Sequence, residues 1–86
     1  MMFLAISQNA GDPSPFLAAE AGRIAELTRS GQVTRILLKT DHTGAVLLMD
    51  EPDLATAQAT VQTLPLVSGG IATFELTSVF EPPDGG

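Results

Sequence analysis

Breakers at Gly11 to Pro15, Gly31, Asp41 to Gly44, Pro52, Pro65 and Gly69-Gly70 cut this chain into short segments. Each segment has room for one strand or one helix and no more. Residues 2–8 (MFLAISQ) are apolar and run into a Gly-Asp-Pro-Ser-Pro cluster, which reads as a strand closed by a turn. Ser14-Pro15 is a helix start: Ser can accept from the free amides of a first turn, and Pro loses nothing there. Helical composition continues to Ser30, and Gly31 supplies a left-handed stop.

Residues 33–41 (VTRILLKTD) are β-branched and aliphatic, a second strand. Asp41-His42-Thr43-Gly44 turns the chain, and residues 45–50 complete a hairpin. A second helix opens on Glu51-Pro52-Asp53 and runs to about Thr63, with Leu54, Ala57, Val61 and Leu64 at helical spacing. Pro65 closes it, because the residue before a proline is pushed out of the helical region. Gly69-Gly70 reads as a loop and residues 71–80 as the last strand. The order β-α-β-β-α-β predicts an α+β, ferredoxin-like domain with a four-stranded antiparallel sheet. It occupies residues 1–80 and leaves residues 81–86 (EPPDGG) as a flexible tail without a core residue.

The chain has 86 residues and no cysteine, so disulfide staples and thiol chemistry are excluded. A domain this small has oligomerisation as its remaining source of added burial. The net charge is −6 and the four Lys and Arg residues are scattered, which argues against a nucleic-acid partner. No apolar run reaches the roughly 18 residues that span a bilayer, and no basic segment precedes the N-terminal apolar stretch. A cytoplasmic protein that does not engage membranes is expected. A single histidine among scattered carboxylates makes no metal motif, so no metal is assigned.

Alternation splits each strand into two sets of side chains. Leu4, Ile6, Ile36, Leu38, Val46, Leu48, Phe74 and Leu76 form an almost purely apolar set, expected under the helices. Phe3, Ala5, Ser7, Arg35, Leu37, Lys39, Ala45, Leu47, Met49, Thr73, Glu75 and Thr77 form a mixed set on the other face. Phe3, Leu37, Leu47 and Met49 would then make an exposed apolar patch, most simply covered by a second copy of the sheet. Two sheets face to face give a dimeric α+β barrel. Arg35, Lys39 and Glu75 would lie inside it or at its mouths, where they need each other or a ligand.

The first helix carries one anomaly. Leu17, Ala21, Ile24, Leu27 and Thr28 mark its inward stripe, and Glu20 falls within that stripe. Glu26 points the other way and reads as solvated. A carboxyl group on an apolar stripe has its pKa raised by desolvation, which suits a general acid or base near neutral pH. An edge position, bonded to an arginine or to water, is the structural alternative for Glu20. His42 can shuttle protons near neutrality, although a hairpin turn is also where an exposed histidine sits without a task.

Met2-Phe3-Leu4, Glu26-Leu27-Thr28-Arg29-Ser30-Gly31, Thr63-Leu64-Pro65-Leu66-Val67 and Phe74-Glu75-Leu76 together resemble the muconolactone delta-isomerase family, across residues 2–79. The resemblance implies ferredoxin-like domains paired into barrel dimers, some in larger rings. It also implies movement of a proton in an unsaturated lactone without a cofactor. Counted back from Gly31, Glu20 matches the helix-one glutamate associated with proton transfer, and His42 matches a histidine of the hairpin turn. Val33, Leu37 and Leu38 stand where close members carry aromatic and basic residues. Leu17 and Ala18 occupy the region of a lysine one turn before the glutamate. These departures remove anchors for a substrate carboxylate and imply a more apolar substrate.

The expected function is a cofactor-free isomerase or cyclase acting on a small, largely apolar, enolisable molecule of lactone or polyketide type. Glu20 and His42 are its expected catalytic pair, with Arg35, Lys39 and Glu75 for substrate binding. The contrasting expectation is a non-catalytic module on the same barrel, holding a small ligand or serving as an oligomeric accessory.

Overall fold

The structure, a computed structural model, describes residues 1–83. The expected tail therefore lies partly outside the described residues, at 84–86. Strands β1 (Met2–Asn9), β2 (Val33–Leu38), β3 (Ala45–Asp50) and β4 (Ala72–Val79) form one sheet in the order β2-β3-β1-β4. Every neighbouring pair is antiparallel. Helices α1 (Leu17–Arg29) and α2 (Leu54–Gln62) supply the second layer, followed by the short helix α3 (Pro65–Ser68). This is the ferredoxin-like α+β arrangement read from the order of elements. Among the described residues no helix is long and apolar enough to cross a membrane.

Local chemistry explains most element ends. A 3₁₀ turn, Ser14–Phe16, precedes α1, and the amide of Ser14 donates to the Asp12 carboxylate at 3.0 Å. Asp12 therefore does the work expected of Ser14, as an Asx turn. Gly31 follows the end of α1 with a φ of 84°, a conformation that costs other residues strain. Asp53 caps α2 by accepting from the Thr56 amide at 2.7 Å. Leu64 before Pro65 is extended, as the proline demands. Pro65 does not lead into a plain loop, however. It occupies the first turn of α3, where its missing N–H is no loss.

The core lies between the sheet and the helices. Phe3, Leu27, Leu47, Met49 and Leu64 are fully enclosed there. Each such side chain contributes roughly 1.5–3 kcal/mol by leaving water. Phe3 stands opposite Met49, Ala5 opposite both Leu47 and Leu76, and Ser7 opposite Phe74. Directly paired residues share a face, so Phe3, Ala5, Ser7, Ala45, Leu47 and Met49 point at the helices.

This corrects the expected faces of β1 and β3. The outer set is Leu4, Ile6, Val46 and Leu48 together with Arg35, Leu37, Thr73, Glu75 and Thr77. The sets read for β2 and β4 stand. The reason is compositional: β1 and β3 are apolar on both faces, so alternation alone cannot orient them. The apolar patch expected on the open face persists, but Leu4, Ile6, Leu37, Val46 and Leu48 make it.

A β-bulge between Val33 and Arg35 adds one residue to β2, with Val33 opposite Met49 and Arg35 opposite Leu48. Thr34 at the bulge donates its hydroxyl to the Leu48 carbonyl at 3.2 Å. Val33 can thus be buried while Ile36, three residues on, also faces the helix layer.

Candidate active site

The inward stripe of α1 is narrower than its sequence implies. Leu17, Ala21 and Thr28 are exposed, while Glu20 and Leu27 are buried and Ile24 is half-buried. Glu20 therefore sits at the centre of the buried face, with only 7% of its surface exposed. Its Oε1 accepts from the backbone N–H of Leu66 in α3 at 2.9 Å. Arg23, one turn on, does not pair with it. That guanidinium donates to the Thr63 hydroxyl at 3.0 Å and lies 3.8 Å from Glu26. Burial pushes the Glu20 carboxyl above its ordinary value, and the hydrogen bond from Leu66 opposes this only in part.

Glu20 opens on a cavity of about 350 Å³ between α1 and the sheet. Its walls are mainly apolar, with Ile24, Leu47, Leu66, Ala72 and Phe74 among them. Leu17, Leu38 and His42 also line it and are exposed, so they rim its mouth. The polar lining is Ser7, Asn9, Glu20 and His42. Among the described residues no Lys or Arg contributes.

His42 is carried to the rim by the β2–β3 hairpin. It has a φ of 63°, the left-handed conformation that lets the turn close. Asp41 fixes the turn by accepting from both the amide and the hydroxyl of Thr43, at 3.0 and 2.6 Å. The hairpin is then clamped to β1. The Ala45 amide donates to the Ser7 hydroxyl at 2.8 Å, and the Asn9 amide donates to the Thr43 carbonyl at 2.8 Å. Gly44 is required at this contact, since a Cβ there would lie 2.2 Å from the Ser7 carbonyl oxygen.

Glu20 and His42 thus line one cavity. Arg35, Lys39 and Glu75 do not join them: they lie on the opposite face of the sheet. Arg35 borders a shallow groove with Leu4, Leu37, Val46 and Leu48. Lys39 and Glu75 border another with Ile6 and Thr73, where the Lys39 Nζ donates to Gln8 Oε1 at 3.1 Å. A substrate beside Glu20 is therefore separated from these three by the sheet of its own subunit.

Ser7 and Asn9 are cavity residues that the pattern of the sequence does not mark. Reversing the face of β1 would have found Ser7. A second buried carboxylate, Glu51, also escaped the sequence reading. It is 4% exposed and accepts from the Thr60 hydroxyl and from Gln32 Nε2 at 3.2 Å. It lies away from the cavity and ties the start of β2 to α2.

The element order, sheet and cavity place this chain among ferredoxin-like proteins with the fold of muconolactone isomerase. A solved muconolactone isomerase superimposes with a TM-score of 0.81 at 20% identity, covering 98% of this chain and 93% of that one. A 5-chloro-2-hydroxyhydroquinone dehydrochlorinase from Burkholderia phenoliruptrix, in complex with 2,5-dihydroxybenzoquinone, superimposes with a TM-score of 0.85. That pair is 14% identical, and the match covers 100% of both chains. No protein-family model and no curated protein matches the chain.

Proposed function

We propose that this chain is a cofactor-free catalyst of proton transfer, an isomerase or cyclase, acting on a small, largely apolar, enolisable molecule in the Glu20 cavity. The observation that carries this reading is the placement of Glu20. It is buried at the centre of an apolar wall, held by one backbone amide, and not neutralised by a cation among the described residues. A carboxyl group so placed exchanges its proton at a higher pH than a solvated one.

In the proposed reaction the Glu20 carboxylate removes a proton from a carbon next to a carbonyl. The electron pair moves onto the carbonyl oxygen, giving an enolate. The same carboxyl then returns the proton at a different carbon, so the shift is redox-neutral and leaves the enzyme unchanged. His42 at the rim is the candidate donor to the developing oxyanion. The fold supports the reading by analogy, since the two solved relatives are named for reactions of small molecules and one holds a quinone ring.

The same reading includes a homodimer, or a larger ring built from it. Leu4, Ile6, Leu37, Val46 and Leu48 leave an apolar sheet face open to water, and a second copy is its proposed occupant. Arg35 and Lys39 lie on that face with Glu75, so opposite charges are available to pair across a two-fold axis. In this reading the three charges serve assembly or the barrel interior.

The test uses a β,γ-unsaturated γ-lactone in deuterated buffer, followed by proton NMR for double-bond migration and deuterium uptake. The wild type is expected to accelerate both, and Glu20→Gln to lower kcat by about 10²–10⁴-fold, the usual worth of a general base. Equal turnover by wild type and Glu20→Gln would refute the role given to Glu20.

A further inference from the structure

Direct strand pairings lay the side chains of the open sheet face out in rows. Arg35, Leu48, Leu4 and Thr77 make one row, and Leu37, Val46, Ile6 and Glu75 make the next. Gln8 and Thr73 belong to the row after that, which Lys39 reaches by donating from Nζ to Gln8 Oε1 at 3.1 Å. The cations Arg35 and Lys39 thus rise from the β2 edge of the sheet and the anion Glu75 from the β4 edge. Along the strands, Glu75 stands midway between the levels of the two cations. Asp50, the other charged residue of the strands on this face, is taken by the N-terminal amine at 3.4 Å.

Three strand spacings of about 4.8 Å separate β2 from β4, so the Arg35 and Glu75 backbones lie about 14 Å apart across their own sheet. Arg35, Lys39 and Glu75 make no ion pair among the described residues. Between the two edges the face is apolar, and Ile6 and Leu37 are 40% and 54% exposed.

A second copy can cover this face about a two-fold axis in either of two ways. An axis across the strands puts β2 over β2 and β4 over β4. Cations then face cations and Glu75 faces Glu75. An axis along the strands puts β2 of each copy over β4 of the other and keeps every level. Glu75 then faces the point midway between the partner's Arg35 and the partner's Lys39. Sheets pack about 10 Å apart and one row step is about 7 Å. The resulting Cα separation of about 12 Å is one that two extended side chains and a hydrogen bond span. These pairs run along the edges of the sandwich, where water still reaches them, so they avoid the desolvation cost of a fully buried ion pair.

We propose that the open face pairs with a second copy about an axis running along the strands, with Glu75 of each copy held between the partner's Arg35 and the partner's Lys39. The proposal rests on the reading of this face as a homodimer surface, and it adds which of the two pairings the dimer takes. The apolar rows supply the adhesion, and the charges choose the orientation.

Lys39 is the only lysine of the chain, which makes the contact readable by chemistry. Equal amounts of ¹⁴N- and ¹⁵N-labelled wild type are mixed in urea, refolded together and treated with a carbodiimide, which joins an amine to a carboxylate in contact with it. Mass spectrometry of the linked peptides is expected to find Lys39 joined to Glu75 with one light and one heavy peptide. Absence of that mixed link in a dimeric protein overturns the proposal. Sedimentation at low salt gives the second measurement. Glu75→Lys is expected to raise the dimer dissociation constant at least about tenfold, since three cations then meet. Adding Arg35→Glu and Lys39→Glu to it should bring the constant back to within about threefold of the wild type. A dimer that Glu75→Lys leaves unchanged, or that the full reversal does not restore, overturns the orientation while leaving the homodimer. A wild type that sediments as a monomer overturns the proposal and the homodimer together.

Discussion

The backbone N–H of Leu66 donates to Oε1 of Glu20 across 2.9 Å, and among the described residues this is the carboxylate's one hydrogen bond. A single amide does not offset the burial, so the folded protein holds the Glu20 proton more tightly than the unfolded chain does. The stability that this proton supplies is complete below the ordinary value near 4.5 and is lost as pH rises through the higher folded value. Asp12, Asp41 and Asp53, each lowered by hydrogen bonds, have the opposite slope and lose stability in acid. Their effect cancels between wild type and Glu20→Gln. The glutamine can still accept from Leu66, so Glu20→Gln should be the more stable protein at pH 8. The gap should close toward pH 4, as urea unfolding across that range will show. A gap that widens in acid would reverse the assigned direction.

The clamp between the hairpin and β1 has no room for a methyl group. Gly44→Ala places a Cβ 2.2 Å from the Ser7 carbonyl oxygen, backbone against side chain, with no flexible group to yield. A loss of about 3 kcal/mol is expected, at the upper end for overpacking. Chemical denaturation measures it. His42 amide and ring shifts should move in the same variant, since the hairpin must lift.

Glu51 depends on two donors for its buried carboxylate. Thr60→Val keeps the shape of the side chain and removes the hydroxyl, leaving one carboxylate oxygen short of a partner. It should cost about 2 kcal/mol in the denaturation midpoint analysis. The proposed proton transfer should be unaffected, because Glu51 does not line the Glu20 cavity.

The open sheet face predicts self-association. Light scattering on the wild type should give twice the chain mass or a multiple of it. The double substitution Leu37→Glu and Leu48→Glu, diagonal to each other on the outer face of the β2–β3 pair, should give a monomer, since like charges would be carried into the proposed interface by both copies. A wild type that is monomeric at millimolar concentration would rule out the barrel dimer.

Element order, both long helices and the hairpin were legible because breakers and periodicity are local signals. Glu20 was legible for the same reason: helical spacing places it beside Ile24 and Leu27 without knowledge of the sheet. The faces of β1 and β3 were not, since Phe3-Leu4 and Leu47-Leu48 offer an apolar side chain to either side. Their orientation is settled by what the partner strand and helix require. Glu51 was invisible because its carboxylate is held by Thr60 and Gln32, which are distant in sequence or unremarkable in type. The Leu66 amide was invisible for another reason. It belongs to the backbone, and its availability follows from α3 opening where a loop was expected.

The extra residue at Thr34 decides the electrical character of the pocket. In an unbroken strand, Val33 and Arg35 would share a face. With Val33 anchored in the core, that face is the one under the helices. A guanidinium would then stand in the layer that holds Glu20, and Ile36 and Leu38 would turn to the other side. One residue of slack in β2 thus keeps a guanidinium out of the layer that holds Glu20.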